Sequence, residues 1–457
     1  LYTIIIRMHT NLNHMEKGID LAAQALSLTG EDLPRGPEAI AAGIGEQSQE
    51  IAALAAGLPG GIEDYANMPP MEDEMIQAAM EIMINVSSTA YMTDANLYMY
   101  IVLRMVSLSL QHGSSNASSF GFVNYALVLA GAYGDYANGY RYGLAALALL
   151  AKHPNPELGC KVNHVFGAGI QHWKNHIRSC IPYFEKAYLN GVQFGDVLYA
   201  GYTTNQRVTC QLIAGCPLEE VRREHSLYYE FIRRHKDPVV NGLYALQLQI
   251  VRNLQGEIVD VRALTDELLP EDEIKRIGSI ILDSNYDIAR LQLCFIYRHF
   301  ASAEQLVDAS ATSLGGSFGS VLIAEQAFYA ALCLYAAIRS GLSDDATARL
   351  KQADGYLASM QTWADHCPEN NYHRLLLMKA ERSAACLITG GSEACRNGES
   401  DEALDAMAAD ELYRAAIAEA ERQGFIQIAA LANECAGRYY MEAADLLPDS
   451  RTARDTG

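Results

Sequence analysis

Apolar residues recur at every third and fourth position through nearly all of the 457-residue chain. This spacing places them on one face of an α-helix, as in YRYGLAALALLAK at residues 140–152. The alternating pattern of strands joined by hairpin turns does not occur. Glycine, proline, asparagine and aspartate fall between the apolar segments, where they end helices. The pattern therefore predicts an all-α protein of about 18 to 20 helices of ordinary length.

The turns that join the two helices of each predicted pair recur at a regular interval. They fall near Gly134, Asn175, Gly215 and Gly256. The intervals are 41, 40 and 41 residues, and a further interval of 40 separates Ala301 from Gly341. A period of about 40 residues suits a two-helix unit slightly longer than a tetratricopeptide repeat (TPR). Because one hairpin cannot bury its apolar face alone, the period predicts an α-α superhelix of stacked TPR-like repeats.

Changes in composition along the chain predict its domain organisation. Residues 30–70 are rich in glycine and proline, and residues 389–409 are small, polar and acidic. The chain also begins at Leu1 inside a helical pattern, so we expect a fragment that continues from an upstream domain. The predicted order is a terminal helical hairpin (1–29), an irregular crossover (30–70), the TPR-like array (71–388), a disordered acidic insert (389–409), a last hairpin (410–447) and a tail (448–457).

The net charge excludes two classes of partner. Lysine and arginine number 34 against 55 aspartate and glutamate, which gives a formal charge of −21. Nucleic acids and anionic membrane surfaces both require an excess of basic residues, so neither is an expected partner. Half of the residues are apolar and 19% are charged, which is typical of a globular protein.

Two further features bear on the compartment. Residues 318–338 are apolar and long enough to cross a membrane, but Glu325 and Gln326 near the middle would be costly in lipid. We therefore expect a buried helix and no membrane span. The ten cysteines are dispersed without a C-x-x-C pair, which favours reduced thiols and a cytoplasmic location.

Two short motifs resemble catalytic or metal-binding patterns. GGSFG at residues 315–319 matches the nucleophile elbow G-x-S-x-G, which makes an all-α hydrolase using Ser317 a remote alternative. The elbow needs a preceding strand, whereas the pattern predicts a helix end there. His172 and His176 have the i, i+4 spacing of metal ligands, but they straddle the predicted turn and lack the glutamate of H-E-x-x-H. We expect no metal site and a packing role for Trp173.

Polar side chains near the middle of the first helix of each pair form the candidate binding site. Counting back nine to eleven residues from each turn gives Asn124, His164, Asn205 and Gln247, and Arg207 lies nearby. In a stacked array these residues would form a ladder along the concave face and bind a partner. The alternative is that each one bonds a neighbouring helix inside the core. No catalytic residue, cofactor or metal is predicted, because P-loop and kinase motifs do not occur in the chain.

Several stretches resemble one family of very large signalling kinases. They are the M-P-P-M-x-D block within residues 68–113, GDYANGYRYGLAALALL at 134–150, the H-W-K-x-H motif within 169–202, and ANECAGRYY at 432–440. In this family a Ser/Thr-kinase-like domain and a P-loop ATPase precede a tetratricopeptide-like array. A GAF domain and a sensor histidine kinase follow it. The acidic insert at 389–409 departs from the family pattern.

The resemblance implies a function for the chain. It would be a non-catalytic scaffold that mediates protein–protein interaction and relays signals from an ATPase and kinase module upstream to a GAF and histidine kinase module downstream. ATP and Mg²⁺ would belong to the flanking domains of the parent kinase, because the family's catalytic motifs lie there. The partners would be those domains and a protein or small ligand on the concave face. A stand-alone TPR-like adaptor is the alternative.

Overall fold

The chain is all-helical in the part that the structure describes. A computed structural model describes residues 2–446 except residues 13, 59, 259, 262–263, 265–269 and 389–408. Within these ranges the chain forms twenty α-helices and a few short 3₁₀ helices, and no strand. The predicted all-α class is confirmed. The chain divides into two compact units, the first formed by residues 1–174 and 181–203 and the second by 175–180 and 204–457.

The first unit holds nine complete helices and the start of a tenth, which ends in the second unit. The helices are α1 (Tyr2–Asn11), α2 (Met15–Ser27), α3 (Pro37–Ala56), α4 (Glu74–Thr93), α5 (Ala95–His112), α6 (Asn116–Gly131), α7 (Tyr136–Lys152), α8 (Pro156–Gly169), α9 (Ile181–Phe194) and α10 (Val197–Ile213). Asparagine and aspartate side chains cap several of these helices. Asp94, for example, accepts hydrogen bonds from the backbone of Asn96 and Leu97 at the start of α5.

The second unit contains the end of α10 and ten further helices. These are α11 (Leu218–His235), α12 (Pro238–Leu254), α13 (Glu271–Ile277), α14 (Ile280–Ile296), α15 (Ala303–Ser313), α16 (Leu322–Arg339), α17 (Ala346–His366), α18 (Pro368–Ile388), α19 (Ala409–Gln423) and α20 (Ile426–Leu446). A short 3₁₀ helix, Ile177–Cys180, also belongs to this unit.

Helices pack in the same way within each unit. In the first, α4 contacts α5 and α6, α6 contacts α7 and α8, and α8 contacts α9. In the second, α14 contacts α15 and α16, α16 contacts α17 and α18, and α18 contacts α19. The first helix of each pair thus packs on its own partner and on the first helix of the next pair. This arrangement lets each hairpin bury the apolar face that it could not bury alone.

Glycines in the left-handed region mark the turns between paired helices. Gly134, Gly215, Gly256 and Gly341 have φ between 65° and 73°. Glycine adopts this conformation without the steric cost of a Cβ atom, and it commonly ends helices for that reason. All four residues lie at the turns that the 40-residue period predicts.

The second unit closes on itself through its last hairpin. The Gln427 side chain on α20 donates a hydrogen bond of 2.7 Å to the backbone oxygen of Ile213 at the end of α10. Arg178 donates to the backbone oxygens of Ala214 and Gly424, at 2.8 and 3.1 Å. These bonds join the end of α10 and the 3₁₀ helix Ile177–Cys180 to the last hairpin.

One segment differs from the predicted organisation. Residues 30–70, expected to be irregular, contain the 20-residue helix α3 and a 3₁₀ helix, Gly61–Asn67. Proline at the first helical position and a run of strong helix formers explain α3, which packs against α5. The predicted insert lies outside the described residues except Ala409, the first residue of α19, and the predicted tail 448–457 also lies outside them.

Helix α16 is the apolar segment singled out in the sequence. Of the residues described, it is the one helix long and apolar enough to cross a membrane, and 83% of it is buried inside the protein. Eight cysteines in the described part are free thiols, seven of them buried. Cys386 is disulfide-bonded, so the prediction of reduced thiols does not hold for that residue.

Candidate functional site

The second unit contains a cavity of about 550 Å³ between its helices. Its wall comes from α10, α12, α14, α16 and α20, together with the turn that joins α10 to α11. Most of the wall is aliphatic, and leucine and isoleucine side chains from each of these helices contribute to it. Examples are Leu212, Leu246, Ile288, Leu322 and Ile428. An apolar cavity of this size is typical of sites that hold small molecules.

A few polar side chains interrupt the apolar wall. Gln247 on α12 donates hydrogen bonds of 2.7 Å to the Thr209 hydroxyl and 2.8 Å to the backbone oxygen of Asn205. Gln292 on α14 donates to the Tyr329 hydroxyl at 3.3 Å. Burial raises the pKa of Tyr329, so its hydroxyl is protonated at neutral pH. These groups place hydrogen-bonding atoms in an otherwise apolar wall.

A buried ion pair stands at the edge of the cavity. Glu325 on α16 lines the cavity and pairs with Arg374 on α18. Both side chains are almost fully buried, and the guanidinium also lies 5.5 Å from the Phe328 ring and 5.9 Å from the Phe425 ring. A buried carboxylate needs such a partner because the low dielectric of the interior penalises an isolated charge.

Two of the predicted binding residues lie in the first unit. Asn124 on α6 is buried, accepts a 2.7 Å hydrogen bond from the Tyr98 hydroxyl and donates 2.8 Å to the backbone oxygen of Phe120. The His164 ring on α8 lies 3.0 Å from the Thr203 hydroxyl, and burial lowers its pKa to about 4. His164 is therefore neutral at physiological pH.

The other three predicted residues lie in the second unit. Asn205 is buried on α10, and its backbone oxygen accepts the hydrogen bond from Gln247. The Arg207 guanidinium lies 2.5 Å from the Glu224 carboxylate on α11, and both side chains are largely buried. Gln247 lines the cavity, whereas Asn205, which it contacts through this hydrogen bond, is not among the lining residues. Reasoning from the sequence missed the rest of the cavity, because leucine and isoleucine on five helices carry no local signal that separates a ligand site from core.

The H-W-K-x-H motif does not form one helical turn. His172 and Trp173 belong to a 3₁₀ helix, Gln171–Trp173, and are buried with their rings 4.5 Å apart. The Trp173 ring also lies 5.0 Å from the Tyr136 ring, which gives it the packing role that the sequence predicts. His176 belongs to the second unit, where its Nε2 lies 3.1 Å from the backbone oxygen of Gln423.

Burial of His172 makes the protein sensitive to acid. Burial lowers the pKa of His172 to about 3, although a hydrogen bond to the backbone of Gly167 opposes the shift. Below about pH 6.5 the unfolded chain binds a proton that the folded chain excludes, so folding stability falls as the pH falls. The expected contribution is about 1.4 kcal/mol per pH unit between about pH 6 and pH 4. Urea unfolding at several pH values should show a shallower slope for His172→Leu.

The pH range above about 7.5 provides the control for this prediction. An imidazole with a pKa near 6.5 in the unfolded chain is neutral there in both states, so His172→Leu should keep the slope of the unmodified protein in that range. An unchanged slope in His172→Leu between about pH 6 and pH 4 would contradict a neutral, buried imidazole at this position.

Ser317 has a structural environment. Helix α15 precedes the serine where a nucleophile elbow requires a strand, and Ser317 itself is the last residue of a 3₁₀ helix, Leu314–Ser317. The Ser317 hydroxyl is buried and lies 2.7 Å from the Ser284 hydroxyl on α14. The G-x-S-x-G match is therefore part of a tight turn between helices. The described residues contain no cluster of three or more histidine, cysteine, aspartate or glutamate side chains that could hold a metal ion.

Comparison with known proteins relates the chain to signalling. The part of the chain that the structure describes is all-helical, and the chain is similar to part of a signal-transduction protein. That protein is the hybrid signal transduction histidine kinase G of Dictyostelium discoideum, with 24% identity over 201 residues. The match covers 44% of this chain and 6% of the kinase. No protein-family model matches the chain, and no solved structure matches it.

Proposed function

We propose that the chain is a non-catalytic, TPR-like helical scaffold within a larger signalling kinase. One observation carries the proposal: in both units the first helix of each pair packs on its own partner and on the first helix of the next pair. A change in the packing of one pair therefore bears directly on its neighbour. The similarity to a signal transduction histidine kinase supports a role in signalling.

In this proposal the scaffold relays a signal between flanking modules of the same cytoplasmic polypeptide. An upstream ATPase and kinase module would change the packing of the pairs, and a downstream GAF and histidine kinase module would respond. A ligand that favours one of two packings would shift their populations by its difference in affinity for the two. ATP and Mg²⁺ would bind the flanking modules rather than this chain.

The reading frame on both sides of the chain tests the proposal. We expect a P-loop motif upstream and a histidine kinase domain downstream. A start codon and promoter directly upstream, with a stop codon downstream, would instead establish the stand-alone adaptor.

A variant in the intact kinase tests the relay itself. Arg207→Ala removes the ion pair between α10 and α11, and Asn205→Ala truncates a buried side chain on the same helix α10. We expect each variant to lose the response of histidine autophosphorylation to the upstream module when it is assayed well below its own melting temperature, where the chain is folded. A response that persists in both folded variants would contradict a role for these two residues in the relay.

A further inference from the structure

The shape and lining of the cavity suit a small aliphatic molecule. Five helices contribute to one wall, and half of its lining residues are leucine or isoleucine. Its volume of about 550 Å³ lies in the range of small-molecule sites. Moving an aliphatic chain from water into such a cavity is favourable in proportion to the apolar area that leaves water.

One buried acceptor in the wall lacks a partner. Gln247 is 4% exposed, and both of its hydrogen bonds run from Nε2. The backbone oxygen of Asn205 can only accept, which fixes the orientation of the amide. Oε1 is then left buried without a hydrogen-bond partner. The atom has almost no accessible surface, so a ligand reaches it when the Gln247 side chain turns toward the cavity. A donor from the ligand then recovers the free energy that the unpaired acceptor costs.

The charge of the wall restricts the head group of the ligand. The charged side chains that line the cavity are Glu325, paired with Arg374, and Glu434, which is exposed. Both are carboxylates. An anionic head group would be repelled by Glu434 and would offer no proton to Gln247, whereas a hydroxyl or an amine would provide a donor.

We infer that this cavity binds an aliphatic molecule whose hydroxyl or amine head donates a hydrogen bond to Oε1 of Gln247. The aliphatic tail lies along the leucine and isoleucine wall. This site goes beyond the proposed relay and does not depend on it, because binding is measured on the 457-residue chain without any flanking module.

Isothermal titration calorimetry of the full chain tests the inference with three probes of equal length. These are 1-decanol, decylamine and decanoate, each used below the concentration at which it aggregates. We expect saturable binding of decanol or decylamine at one site per chain, and decanoate at least about tenfold weaker. The stronger of decanol and decylamine identifies the preferred head group. No binding of either, or decanoate binding equally well, would overturn the inference.

Two glutamines on α12 provide a matched pair of variants. Gln249 is also buried with an unpartnered Oε1, but it lies outside the lining of the cavity. Gln247→Leu should weaken binding of the preferred probe about tenfold, and Gln249→Leu should leave it within about twofold. Equal affinities in the two variants would overturn the role of Gln247.

A third variant keeps the test decisive if Gln247→Leu fails to fold. Ile250 on α12 lines the cavity and is half-buried, so a larger side chain has room to adjust. Ile250→Trp should fill the cavity and abolish binding of all three probes. Binding that persists in a folded Ile250→Trp chain would place the ligand elsewhere.

Discussion

Replacing Arg339 with alanine is expected to destabilise the second unit by about 3–5 kcal/mol. Arg339 on α16 donates a 2.6 Å hydrogen bond to Glu381 on α18 and another to Glu442 on α20. The Arg339 and Glu381 side chains are 4% and 0% exposed. The Tyr413 hydroxyl on α19 donates to the second oxygen of Glu381 at 2.6 Å. The variant would leave the Glu381 carboxylate buried without its cation.

Urea unfolding monitored by far-ultraviolet circular dichroism measures this loss. Arg414→Ala is the matched control, because Arg414 lies on α19 beside Tyr413 and its exposed side chain pairs with the half-buried Asp410. Exposed pairs contribute less than about 1 kcal/mol, so the control should unfold at nearly the same urea concentration as the unmodified chain. If the two variants lost the same free energy of unfolding, the Glu381 carboxylate would not be isolated from water without Arg339, and the prediction would be wrong.

Gly316→Ala is the second substitution with a large expected effect. A Cβ atom at Gly316 would overlap the backbone of Ile280, at the start of α14. Because backbone cannot move aside as a flexible side chain can, the turn and α14 would have to separate. We expect a loss of at least about 3 kcal/mol in the free energy of unfolding.

The neighbouring Gly315 is the control for this substitution. A Cβ atom there would meet the Ile280 side chain at 3.6 Å, an ordinary contact. Gly315→Ala should therefore change the free energy of unfolding by less than about 0.5 kcal/mol. If the two variants had the same free energy of unfolding, the close approach of the turn to α14 would not be the reason for glycine at position 316.

Local sequence signals predicted the helices and their turns. Turns require residues that tolerate a positive φ, and glycine at 134, 215, 256 and 341 meets this requirement by its own chemistry. The apolar period within each helix is likewise local, since it records the face that a neighbour covers. These signals were sufficient for the all-α class and for the pairing of helices.

Helix α3 shows how composition alone misleads. Glycine and proline on either side of residues 37–56 suggested an irregular segment. Pro37, however, occupies the first helical position, where its missing N–H costs nothing, and alanine and glutamate favour helix after it. The position of the proline, rather than the number of prolines, decides the structure.

The cavity and the closure of the second unit have no local signal. Gln427 and Ile213 lie 214 residues apart, and nothing near either residue specifies the other. The cavity wall likewise consists of residues that would pack equally well in a solid core. Among the candidate residues from the sequence, Gln247 lines the cavity. It could be identified from the sequence because a polar residue in the middle of an apolar helix stands out even when its partner is unknown.

The hydrogen bond between α10 and α20 affects how the protein is made. In an open array each hairpin can fold as soon as its neighbour has emerged from the ribosome. The bond between Ile213 and Gln427 must instead wait for 214 further residues. At about 5–20 residues per second this delay is roughly 10–40 s. During that time the apolar residues that line the cavity are exposed to water in the nascent chain. We therefore expect the folding yield of the protein in cells to depend on chaperones.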